Sequence, residues 1–212
     1  LTTDSLLLTG SVNIESSGNL TIAPASASTN INLGTGATDA GLQVDDAELA
    51  LLADGFSSIT IGDAASGTGV VIVDNATFVD EVTIVGGSVS VTALTGNDTT
   101  DNGDGTGLQA VTLTARTGDI LDGENAAATD VTAALVTLNA ETGAIGEDAG
   151  SGNEALELAV DTLVTDSTNG TNSGSQFLTE ADSLTWNSSA AGSGTIMISS
   201  GTFYVGDSQT IT

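Results

Sequence analysis

Cysteine, lysine and histidine are absent from this chain, and arginine and proline occur once each. Without Cys there are no disulfides and no thiolate metal centres, and the redox compartment cannot be read from composition. Without basic side chains there is nothing to neutralise a phosphate backbone. Against Arg116 stand 28 Asp and Glu, a formal net charge of −27, so nucleic acid is excluded as a partner and an anionic lipid surface is disfavoured. Such charge keeps molecules soluble and apart, and salt screens the self-repulsion over roughly 10 Å at about 0.1 M. Seawater-like or calcium-rich surroundings suit it.

Long apolar runs are also missing. None approaches the roughly 20 residues that span a bilayer, and no charged and then apolar leader opens the chain, so direct membrane insertion is not expected. The chain begins at Leu1 without an initiator Met and stops in strand-like Ser208-Gln-Thr-Ile-Thr212. We read it as an excerpt of a longer repetitive surface protein whose secretion signal lies elsewhere. Aromatic residues make up only 3 % of the chain, which fits a narrow core of aliphatic side chains.

What is present is Gly, Val, Ile, Leu, Thr and Ala, a mixture that favours strands and tight turns. Two decapeptides nearly repeat one another: Val111-Thr-Leu-Thr-Ala-Arg-Thr-Gly-Asp-Ile120 and Val136-Thr-Leu-Asn-Ala-Glu-Thr-Gly-Ala-Ile145. A period of roughly 20 to 30 residues means that each unit cannot bury its apolar face alone and must stack on its neighbours. The spacing predicts an all-β fold, a parallel β-helix (solenoid), as a single module over 1–212.

Short alternating runs extend the pattern at Ser11–Ile14, Asn19–Ile22, Asn30–Leu33, Gly41–Val44, Ser58–Ile61, Val70–Val73, Val82–Ile84 and Val89–Val91. They resume at Leu108–Ala115, Leu135–Ala140 and Leu156–Val160. A step of 11 links Leu20, Ile31 and Leu42, and two such steps approach the longer period, as two or three strands per coil require. Apolar residues alternate with Thr, Asn, Ser, Asp or Glu, so one side of each strand faces in. Antiparallel hairpins share that alternation, but two-residue hairpin turns are nearly missing, Asn169-Gly170 being the exception. One segment, Asp45–Asp54, reads as a short helix. Asp45 and Glu48 form a capping box, Leu49 and Leu52 share a face, and Gly55 supplies the stop.

Polar, Gly-rich interruptions fall at 95–107, 122–130, 146–154 and 166–176, as excursions from a coil would. The stretch Asp45-Asp-Ala-Glu-Leu, followed by Ser58-Ile-Thr-Ile-Gly-Asp-Ala-Ala-Ser-Gly67 and Val70–Val73, resembles the repeat units of filamentous-haemagglutinin-like exoproteins and related giant bacterial surface adhesins. Leu113–Ile120 and Leu178–Leu184 fit the same style of module. The resemblance implies a right-handed parallel β-helix, exported to the bacterial cell surface and repeated many times in one polypeptide. Because the matched motif is structural, it implies no binding residue.

Polysaccharide lyases and hydrolases also use parallel β-helices. Their chemistry needs a Lys or Arg base beside bound metal, or paired acids assisted by cations. With one Arg and no His or Lys, no enzyme is expected, and pairs such as Asp45/Asp46 and Asp80/Glu81 arise from abundance. Arg116 is replaced by Glu141 in the second decapeptide, so the coil does not require a cation there, and we expect an exposed pairing with a nearby carboxylate. Calcium takes about six to eight oxygens. The acidic, Gly-hinged loop bearing Asp98, Asp101 and Asp104 is the candidate for it, although its spacing matches neither an EF-hand nor a nonapeptide calcium repeat. Thr112 and Thr114 do not by themselves make a two-column threonine ladder, and the Asn-x-Ser/Thr sites, from Asn19 to Asn187, follow from composition.

The sequence therefore predicts a structural module of an extracellular, acidic β-helical fibre or adhesin shaft, stacking end to end with like modules. The end reads on into the beginning as one coil series. The alternative is an adhesin or a module binding cell-surface or matrix polysaccharide through loops 95–107 and 166–176, with or without calcium.

Overall fold

Most strands have only three to six residues and alternate with corners, because Gly, Asn and Asp recur every few residues. The computed structural model describes residues 1–10, 13–35, 40–97, 107–124, 126–148, 154–169 and 172–205. In chain order the elements are β1 (Asn19–Ile22), β2 (Ile31–Gly34), β3 (Leu42–Val44), α1 (Asp46–Leu49), β4 (Ser58–Ile61), β5 (Val71–Asp74) and β6 (Ala76–Phe78). They continue with β7 (Val82–Gly86), β8 (Val89–Val91), β9 (Leu94–Gly96), β10 (Ala110–Ala115), β11 (Ile120–Asp122) and the long β12 (Val131–Ala140) and β13 (Leu156–Asp166). The last are β14 (Thr168–Asn169), β15 (Asn172–Ser173), β16 (Gln176–Glu180), β17 (Ser183–Ala190), β18 (Ile196–Ser199) and β19 (Thr202–Val205).

The protein is nearly all β, and its sheets are parallel. One 12-stranded sheet follows the path β1-β4-β7-β10-β12-β13-β16-β18, with β17 beside β13, β19 beside β17, and β6 and β9 joined to β12. A second sheet has the order β11-β8-β5-β2-β3. Among the described strands only the β14–β15 hairpin is antiparallel, flanking the Asn169-Gly170 pair that the sequence offers between two short runs.

The two decapeptides lie side by side, residue on residue. Val111 pairs with Val136 and Ala115 with Ala140, and beyond the turn Ile120 pairs with Ile145. Because side chains alternate across a strand, in-register pairing turns each inward position into a column. Ile22, Ile61, Ile84, Leu113 and Leu138 form one such column. Ile31, Val71, Val89, Ile120 and Ile145 form another. Every member is at most 3 % exposed, and each such side chain contributes about 1.5–3 kcal/mol by leaving water. On the outer face Thr21, Thr60, Thr83, Thr112 and Thr137 form a parallel column, where β-branched side chains suit a half-exposed sheet.

Corners are built by three devices. The long strands change inward phase midway: Val131 and Ala133 are buried, then Val136, Leu138 and Ala140, with Ala134 and Leu135 both half-exposed between them. β13 does the same at Asp161 and Thr162, so two consecutive residues turn outward and both halves keep apolar atoms inside. A polar side chain before the next strand accepts from the equivalent N–H of the following pass: Asn30 from Val70 at 3.0 Å, Asp119 from Ala144 at 2.7 Å and Ser175 from Thr195 at 3.1 Å. Beside these lies a glycine column. A Cβ on Gly143 would stand 2.3 Å from the Gly118 carbonyl oxygen, and one on Gly174 would stand 1.8 Å from that of Gly143.

The helix is shorter than the sequence predicts. The capping box forms as expected, Asp45 accepting from the Glu48 N–H at 2.9 Å and Glu48 from the Asp45 N–H at 3.2 Å. Helical structure ends at Leu49, however, because the chain from Leu51 to Ala53 leaves to pair with Ile14. Leu49 and Leu52 are buried together, as their spacing implies. Gly55 has φ +135° but lies beyond the helix end, and its N–H donates to Asp80 Oδ1 at 3.0 Å. The step of 11 is also only partly lateral: Ile31 and Leu42 are register partners, whereas Leu20 belongs to the other sheet, opposite Ile59.

Substituting Gly143→Ala forces a methyl group onto backbone that cannot yield locally. We expect a loss of about 1–3 kcal/mol in urea unfolding, against a change within about 0.5 kcal/mol for Gly18→Ala, whose Cβ would meet nothing closer than 3.5 Å.

Candidate functional site

The predicted calcium residues Asp98, Asp101 and Asp104 lie outside the described residues. Of loop 95–107, Thr95 and Gly96 belong to β9, and Asn97 bridges Leu108. Loop 166–176 is rooted in the core by an unexpected polar cluster. Thr165 and Ser189 hydroxyls lie 2.7 Å from Gln176 Oε1 and 2.6 Å from each other, and Gln176 Nε2 donates to Ser167 Oγ at 3.0 Å and to the Ala190 carbonyl at 2.9 Å. Thr165 continues the column of Leu113 and Leu138, so the aliphatic core becomes hydrogen-bonded toward the C-terminal strands.

Arg116 donates through Nη1 to the Ala64 carbonyl. Its charge contributes to holding the neighbouring Asp63 carboxyl below its ordinary value, an effect owed first to the Ser66 hydroxyl and then to the Ala65 N–H. This corner borders an open groove of about 740 Å³ lined by Thr21, Pro24, Thr60, Asp63 and Ser66 among others, with no aromatic ring. The acid pairs have structural duties: Asp45 caps α1 and Asp80 holds Gly55. On the outer face the threonine column stands alone, since two residues further on the partners are Val85, Thr114 and Asn139.

A second acid cluster is more informative. Asp122 ends β11 in an inward position, in register with Val91, Val73 and Leu33, and is only 7 % exposed. Asp130, just before β12, has no exposed surface. Its N–H donates to the Glu157 carbonyl at 2.9 Å, its carbonyl accepts from Leu94 N–H at 2.7 Å, and its Oδ2 accepts from Glu157 N–H at 2.8 Å. Glu157, on β13, is half-buried, yet its Oε2 is sealed from solvent. Asp122 Oδ2, Asp130 Oδ1 and Glu157 Oε2 have no hydrogen-bond partner, and carboxylate oxygens of the three residues lie within 4.8 Å of one another.

Burial pushes the Asp130 carboxyl up to about 8, with the charges of Asp122 and Glu157 acting in the same direction and the Glu157 N–H opposing. Burial also raises Glu157, and Asp122 and Glu154 add to it. Such a group can hold a proton between two carboxylates or take a hard cation. Sequence reading passed over these residues because Asp122 and Asp130 are the two ends of a polar interruption and Glu157 lies in a strand. The available signal was Asp122 itself, an acid in the inward place of Ile120-Leu121-Asp122.

No family model, curated protein or solved structure matches the chain. The likeness to filamentous-haemagglutinin-like exoproteins therefore rests on the motifs quoted above.

Glu180 is a further buried acid, 4 % exposed, whose Oε1 accepts from the Val160 N–H at 3.1 Å. Burial raises it from 4.5 to about 7. The native state then keeps a proton that the unfolded chain releases, so this contribution is full below about pH 4.5 and is lost as pH climbs through about 7. Glu180→Gln keeps an acceptor for Val160 and removes the titration. Between pH 5 and 8 the variant's unfolding free energy should fall less than that of the unmodified protein.

Proposed function

We propose that the chain is a structural module of an extracellular, acidic fibre or adhesin shaft, wound as a right-handed parallel β-helix and stacking end to end with like modules. The observation that carries this reading is the residue-on-residue register of Val111–Ile120 over Val136–Ile145. Equivalent residues placed above one another on two sheets support winding rather than folding back, with the energy in the columns. Among the described strands, β3 at one end and β18 and β19 at the other have a strand neighbour on one side only, while the outer edge of β1 is taken by Leu1–Thr3. Such edges are templates for another parallel strand. Leu1, Met197 and Tyr204, each more than half exposed, add apolar surface near those ends.

No helix among the described residues is long and apolar enough to cross a membrane. Export to a bacterial surface is part of the proposal and draws on the motif resemblance and on the net charge of −27. The reading includes no catalysis. Polysaccharide binding through the loops is the weaker alternative, since sugar sites use aromatic platforms, whereas Trp186, Phe56 and Phe78 are buried, Phe177 is half-buried and Tyr204 alone among the aromatic residues of described exposure is more than half exposed.

Electron microscopy at high protein concentration and moderate salt tests the proposal. Ordered filaments a few nanometres wide, with mass rising with concentration in light scattering, are expected. A single monomeric species across the whole range would overturn end-to-end stacking.

A further inference from the structure

We propose that Asp122, Asp130 and Glu157 bind one calcium ion, which fastens the end of β11 and the start of β12 to β13. The hydrogen bond from Glu157 N–H to Asp130 repeats the device seen at the other corner, where Asn30 and Ser175 accept from the next pass without carrying a charge. An uncharged residue would therefore serve at position 130. Asp130 instead buries a full carboxylate with no exposed surface and leaves Oδ1 without a partner. Asp122 repeats the anomaly, occupying the place of a valine in an aliphatic column.

No side chain neutralises this group. The chain has no Lys or His, and Arg116 is committed at Ala64 beside Asp63. Two buried carboxylates and a half-buried third with a sealed oxygen, converging without a counter-charge, are untenable together as anions. Calcium binds oxygen at about 2.4 Å, so ligands on opposite sides of it stand about 4.8 Å apart, and a single ion spans oxygens that lie within 4.8 Å of one another. The donors are all hard oxygens, and three carboxylates offer about six of them. Magnesium keeps several of its waters, whereas the unpartnered oxygens here are sealed from solvent.

Thermal unfolding of the whole chain followed by circular dichroism in EDTA, calcium chloride or magnesium chloride, with calorimetric titration of calcium, tests the site. At about 100 times the dissociation constant, calcium should raise the melting temperature by roughly 5 °C, with magnesium less effective and the heats fitting an ion lost on mutation of the triad. Asp130→Asn should abolish the calcium response while melting in EDTA no lower than the unmodified protein, because Asn keeps the acceptor for Glu157 N–H and drops a buried charge. Glu157→Gln, at a half-buried position, gives the same readout should Asp130→Asn not fold. A triple Asp98→Asn, Asp101→Asn, Asp104→Asn variant should respond like the unmodified chain. Absence of any calcium response would overturn the proposal in favour of a shared proton. A response that survives Asp130→Asn, or one lost in the triple variant, would place the ion elsewhere and overturn it equally.

Discussion

Lateral hydrogen bonding between successive parallel passes is the constraint on which the other features depend. Each strand hands its N–H and C=O groups to the strand one pass later, in register, as Val111–Ala115 does to Val136–Ala140. Once that spacing is fixed, every inward side chain meets a counterpart above and below at the distance between neighbouring strands. Branched aliphatic residues fill this geometry well, which is why Ile, Val and Leu recur at equivalent places. Where two backbones meet at a corner without room for a side chain, only Gly fits, as Gly143 between Gly118 and Gly174 illustrates. The same constraint leaves β18 and β19 with one paired edge each among the described strands.

Charge is distributed around this frame rather than through it. Most carboxylates face water, where their mutual repulsion is screened, and the acids that enter the wall do so as acceptors for backbone N–H groups. Asp119, Asp130 and Glu180 each accept from a neighbouring pass. At Asp130 and Glu180 burial shifts the carboxyl strongly upward. Toward the C-terminal strands the buried uncharged side chains Thr165, Ser167, Gln176 and Ser189 form one hydrogen-bonded cluster.

The repeat, the parallel stacking of its two copies, the capping box and the one antiparallel hairpin were all legible in the sequence, because each depends on local residue chemistry. Strands β6 and β9 were not, since β6 follows β5 after the single residue Asn75 and Thr95 and Gly96 of β9 read as the start of the polar interruption at 95–107. Strands β16–β19 were obscured for another reason: Gln176 and Ser189 occupy inward positions, and a polar residue there breaks the apolar pattern that marks a strand. The helix was read too long because Leu49 and Leu52 satisfy helical spacing, while the pairing of Leu51–Ala53 with Ile14 is a tertiary contact that no local signal encodes. The buried acid group joins residues 122, 130 and 157, whose proximity exists only after the passes are stacked. The acidic loop at 98–104 was conspicuous because its acids are adjacent in sequence, which is a different property from convergence in space.

The change of inward phase within β12 and β13 bears on how such a chain can change over generations. Two outward residues in succession, Ala134-Leu135 and Asp161-Thr162, let one strand serve two walls. Removing one codon from either side of that bend would invert every later side chain on its wall, exchanging core for surface. Shortening or lengthening an excursion such as the stretch between Asp122 and Asp130 leaves the parity of the walls untouched. Length variation among relatives of this chain should thus collect in the excursions in blocks, while the walls admit substitutions but almost no insertions or deletions.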